Sequence, residues 1–75
     1  MSTESPAASA ELIASAEITR LEAQIAKSSL DADAWRASGQ QEHYLSSFLM
    51  TEALEARLSA VHARRAALRA GGGTP

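Results

Sequence analysis

The chain contains no cysteine, which excludes disulfides and thiolate chemistry; a structural zinc site would have to be assembled from His43, His62 and carboxylates. A reducing, cytoplasmic setting is the simplest expectation. Proline is confined to Pro6 and Pro75, and glycine to Gly39 and the run from Gly71 to Gly73. Nothing therefore interrupts a helix between Gln40 and Ala70. The N-terminus lacks a basic region followed by an apolar run, and no stretch approaches the ~18 apolar residues of a membrane span. Neither a secretory signal nor a membrane partner is expected. Aromatic residues are scarce, with one each of Trp, Tyr and Phe. Charge of either sign is nearly balanced, at −2 overall, which argues against general attraction to nucleic acid or anionic lipid.

The charge that is present is unevenly placed. All nine acidic residues lie between Glu4 and Glu55, opposed there only by Arg20, Lys27 and Arg36, whereas Arg57, Arg64, Arg65 and Arg69 follow. Acids near helix starts and arginines near a helix end complement helix dipoles, and this pattern needs no arginine-based binding site. No aromatic residue stands near the four arginines for base stacking, so nucleic-acid binding is not expected.

Helical periodicity organises what remains. From Gln40 to Ala70, Met50, Leu54, Leu58, Val61 and Leu68 share one stripe, interrupted by Ser47, Thr51 and Arg65. Leu45, Phe48 and Leu49 project from another side, continued only by Ala56, Ala63, Ala66 and Ala67 and shared with Glu52, Glu55 and Ser59. Upstream, Ala14, Ile18, Leu21 and Ile25 recur at spacings of a helix-packing seam, with Leu12, Ala16 and Ala23 on another side. Two apolar faces on the second helix exceed what one partner helix covers, so one face packs internally and the other meets a second molecule.

The expected fold is all-α, an antiparallel, coiled-coil-like hairpin of two helices. Met1 to Ser5 forms a disordered start, and Ser5 or Ser9 caps a first helix over about residues 6–28. Ser28, Ser29, Asp31 and Asp33 favour turns, which predicts a connector over about 29–38 with Trp35 as a plug over the helix ends. Ser38 and Gln41 have capping-box spacing, so the second helix is predicted over about 39–70, stopped by Gly71 ahead of a flexible tail. At ~1.5 Å per residue it would span roughly 45 Å and overhang a first helix of about 30 Å. Seventy-five residues in two helices cannot enclose a sizeable core, so part of the stability is expected from association.

Catalysis is not expected. Serines are scattered, His43 and His62 lack chelating spacing, the adjacent glycines lie at the end of the chain, and no cofactor motif is present. Ile18-Thr19, Leu21-Glu22 and Lys27, then Tyr44 followed after eight residues by Ala53-Leu54-Glu55, and Val61-His62, resemble the YscE/PscE family of small type III secretion proteins. The resemblance covers about Ile18 to His62. It implies a helical hairpin acting as a co-chaperone, paired with a tetratricopeptide-like chaperone to keep a needle subunit monomeric in the cytoplasm before export. Tyr44 and Leu54 would then face the partner or support the hairpin. From the residues themselves, Leu45, Phe48 and Leu49, joined by Tyr44, are the expected partner anchors. Ile18, Leu21, Ile25, Leu54, Leu58 and Val61 are the expected hairpin core. The alternative expectation is a self-associating coiled coil, a homodimeric four-helix bundle with a scaffold role.

Overall fold

The computed structural model describes residues 6–72 as two α-helices, α1 (Pro6–Ala37) and α2 (Gln41–Gly72), packed side by side as a hairpin. Each helix has 32 residues, so neither overhangs the other, and the described chain measures 56 × 24 × 11 Å. The predicted disordered start, Met1 to Ser5, and the last residues of the predicted tail, 73–75, lie outside the described residues.

A strict alternation of three and four residues runs along both contact faces. In α1 it passes through Glu11, Ala14, Ile18, Leu21, Ile25, Ser28 and Ala32, all buried or half-buried, and continues to Trp35. In α2 it comprises Tyr44, Ser47, Thr51, Leu54, Leu58, Val61, Arg65 and Leu68, while every other residue of Gln41–Ala70 is exposed. This is the spacing of an a/d seam, in which each helix keeps one stripe against its partner. Ala14, Ile18, Leu21 and Val61 form the buried cluster, with Leu54 and Leu58 packed against it. Ile25 is half-buried on the same stripe, whereas Met50, read from the sequence as part of it, is 57% exposed. Ser47 and Thr51 take the seam positions that Met50 does not.

Towards the loop the seam becomes small and polar. Ser28, 9% exposed, donates its hydroxyl to the Ser47 carbonyl at 3.1 Å and lies 2.8 Å from the Thr51 hydroxyl, which itself reaches the Ser47 carbonyl at 2.8 Å. Two hydroxyl protons are shared among three short contacts, so the Ser28 and Thr51 hydroxyls and the Ser47 carbonyl all have partners. Beyond it, Ala32 is buried at 7% exposure.

The predicted connector over 29–38 is therefore corrected. α1 continues for nine further residues, through Ser29, Asp31 and Asp33, and the loop is Ser38, Gly39 and Gln40. The residues read as turn formers have helical work to do: Ser28 turns its hydroxyl across the seam, Ala32 extends the seam, and Asp31 pairs with Lys27 one turn back at 3.2 Å. Tertiary contacts outweigh propensities that differ by only a few tenths of a kcal/mol per residue.

What stops α1 is Gly39, whose φ is +75°. The Gly39 N–H donates to the Arg36 carbonyl at 3.1 Å and the Gln40 N–H to the Trp35 carbonyl at 3.0 Å, the two bonds of a Schellman motif. The expected Ser38 capping box does not form, since the Ser38 hydroxyl donates backwards to the Trp35 carbonyl at 3.0 Å. Gln40 instead occupies the cap position of α2, and its carbonyl accepts the Tyr44 N–H at 2.9 Å. Nor does Gly71 stop α2, which runs through it to Gly72.

At the far end the helices are tied by charge. Glu17 accepts from Arg64 at 2.9 Å, and Glu11 accepts from Arg69 while lying 3.9 Å from Arg65 Nε. That Arg65 nitrogen is buried and has no hydrogen-bond partner, although the residue stands on the seam. Its burial costs desolvation that no bond returns.

Two outcomes follow for stability. An added Cβ at Gly39 meets nothing within 4 Å, so its cost is purely that of the left-handed backbone. Gly39→Ala should lower stability by about 1–2 kcal/mol and Gly39→Asn by less, measured by thermal circular dichroism; equal losses would show that the Schellman geometry is not what the glycine serves. Arg65→Leu should raise stability by about 1 kcal/mol in the same measurement, because a seam leucine removes the buried nitrogen that makes no hydrogen bond while Arg69 still holds Glu11.

Candidate functional site

Antiparallel pairing brings like flanks of the two heptads together. With Tyr44 at position a of α2, Phe48 occupies e, Leu45 b and Leu49 f, so these side chains fan outward from the seam along one side of α2. Met50 and His43 occupy g, on the opposite flank. The pairing of Glu17 with Arg64, both at g, marks this orientation between the helices, and within α2 the Tyr44 and Phe48 rings meet with centroids 6.1 Å apart, tilted by 38°.

The fan sits in the first two turns of α2, beside the loop. Tyr44 is half-buried against the seam, while Phe48 is 43%, Leu45 46% and Leu49 64% exposed. Helical spacing brings the four together because residues three and four apart are neighbours on one face, and Tyr44-Phe48 and Leu45-Leu49 are both such pairs. The underlying backbone is held by the Schellman turn at one end and by the Ser28–Ser47–Thr51 layer at the other. Large apolar side chains on a rigid helix, left outside a seam that is already occupied, form an exposed apolar patch rather than part of the core.

The residues expected as hairpin core occupy different ground. Ile18, Leu21 and Val61 belong to the buried cluster, Leu54 and Leu58 lie against it, and Ile25 stands on the same stripe. None of them lies on the exposed fan. Trp35, expected to plug the end of the helix pair, lies in the last turn of α1 and stacks on His43, with ring centroids 4.4 Å apart and planes 27° from parallel. That stack is on the g flank, away from Phe48. Sequence reading missed it because it pairs residues on different helices whose register depends on where the loop falls. Leu12, Ile13 and Leu30 of α1 are each more than 60% exposed, the first two adjacent near the start of α1 and Leu30 towards the loop.

An open groove on the g flank is lined by Gln24, Ser28, Asp31, Ser47, Met50 and Leu54, and it gives the hydroxyl layer its access to solvent. Among the described residues no cluster of three or more His, Asp or Glu side chains is placed to hold a metal ion, and no helix is long and apolar enough to cross a membrane. The arrangement presents an apolar patch with a phenol hydroxyl at its inner edge and carboxylates around it.

Comparison of the chain with protein-family models, with curated proteins and with solved structures finds no match.

Proposed function

We propose that this hairpin works by binding another protein through Tyr44, Leu45, Phe48 and Leu49, as a co-chaperone that pairs with a tetratricopeptide-like chaperone to keep a type III secretion needle subunit monomeric before export. The observation that carries the binding role is the exposure of Phe48, Leu45 and Leu49 beside a completed seam. Burying what remains exposed of these three side chains against a partner contributes about 1–1.5 kcal/mol each before association costs are met. The specific partners come from the resemblance of Ile18 to His62 to the YscE/PscE family. A needle subunit polymerises through its own apolar helix, so its chaperone must cover that surface, and a small helical partner on the chaperone gives the exposed fan a use.

The test is affinity purification from native cells, followed by mass spectrometry and light scattering, with wild-type protein and with Phe48→Ala. Wild type should recover a helical-repeat chaperone together with a short needle-like subunit. Phe48→Ala should weaken that complex by about 2 kcal/mol, roughly 30-fold, with helicity unchanged by circular dichroism. Recovery of the wild-type chain alone as a stable dimer from secretion-competent cells would replace this reading with a self-associating four-helix bundle. Loss of helicity in Phe48→Ala would instead assign Phe48 to the fold.

A further inference from the structure

The register converts the charge bias along the sequence into a bias across the molecule. On the side of the hairpin that carries Phe48, positions e and b hold Glu22 and Asp33 of α1 and Glu52 and Glu55 of α2, with Glu42 at f behind Leu45 and Leu49. None of these five carboxylates is in an ion pair within the described chain. The bases on that side are Arg36 and Arg69, and Arg69 is already bonded to Glu11. The opposite side has the reverse composition. There positions g and c hold Arg20, Lys27, Arg57 and Arg64, and the acids Glu17 and Asp31 are both consumed by Arg64 and Lys27. One flank is thus acidic and apolar, the other basic.

Resting on the binding role proposed above, we infer that the Phe48 face takes an amphipathic helix of a partner protein whose apolar stripe is flanked by lysine or arginine. Phe48, Leu45 and Leu49 supply the buried centre. Glu52 and Glu55, one and two turns further along α2, and Glu42 before it, supply a rim that a basic helix neutralises and an acidic one opposes. A second copy meeting this face with its own face would set one acidic rim of Glu42, Glu52 and Glu55 against another, which disfavours the symmetric homodimer. The carboxylates are exposed, so each contributes modestly; their joint action lies in steering and in choosing among apolar helices.

The probes are three synthetic amphipathic helices with one shared leucine/alanine stripe, flanked by lysine, by glutamine or by glutamate. Binding to the full chain is followed by titration calorimetry and amide NMR shifts at ~50 mM and ~500 mM salt, which span strong and weak screening. The lysine-flanked helix should bind about tenfold tighter than the glutamate-flanked one at low salt, with shifts centred on Leu45, Phe48 and Leu49. The preference should collapse at high salt and in the Glu42→Gln/Glu52→Gln/Glu55→Gln variant, while Phe48→Ala/Leu49→Ala should lose all three helices. Equal binding of the three would overturn the inference and leave the apolar docking role standing. A preference that survives in the glutamine variant, or shifts centred on Arg20 and Arg57, would overturn it as well, and absence of any binding would remove the docking role together with it.

Discussion

Two helices of equal length joined by three residues have almost no freedom in how they align. Gly39 ends α1 with both Schellman bonds made, and Gln40 opens α2 at once, so the seam must close immediately beside the loop. The first seam layers pair Trp35 with the region of Tyr44, Ala32 with that of Ser47 and Ser28 with Thr51, the last by a direct contact of 2.8 Å. Every later layer, and each salt bridge at the far end, inherits that alignment. A one-residue change in the loop would rotate α2 by ~100° and carry Phe48 to a different side.

The seam itself is uneven, and the unevenness has consequences on the outside. Its buried apolar cluster lies away from the loop, where Ile18, Leu21, Leu54, Leu58 and Val61 meet, while Trp35 and Tyr44 close the seam at the loop itself. Near the loop the same stripe holds Ser28, Ala32, Ser47 and Thr51, side chains too small to keep two helices apart. The bulk that could have filled that half, Leu45, Phe48, Leu49 and Met50, is placed outside it. A hydroxyl layer specifies alignment because a shifted register would strand its donors and acceptors, whereas leucines tolerate sliding. Specific pairing in the loop half and apolar stabilisation in the far half therefore divide the work of the hairpin, and the patch proposed to meet a partner rests on the specified half.

The helical class, the hairpin and the presence of two apolar faces on α2 were legible from spacing, because 3.6-residue periodicity survives without knowledge of the partner helix. The position of the loop was not. Ser28, Ser29, Asp31 and Asp33 have the local chemistry of a turn, and a serine followed three residues later by glutamine has that of a helix start. Both readings count interactions a residue makes with its own backbone. In the folded chain Ser28 bonds across to the second helix, and Gly39 serves the end of α1. Met50 was misplaced for a related reason: hydrophobicity suggested the stripe, but the alternation of three and four runs through Ser47 and Thr51.

By itself the sequence determined that the chain is two helices, that it has no thiol or disulfide chemistry, and that all its acids precede its last four arginines, since these depend only on composition, order and local periodicity. Only the tertiary structure decided which stripe is seam, where the helices turn, and that five acids unpaired within the described chain gather on the side of Phe48 while Arg20, Lys27, Arg57 and Arg64 lie on the other flank. Those features depend on the relative rotation of two helices. That rotation is set by one left-handed glycine and one hydroxyl layer, whose partners are 23 residues apart in the chain.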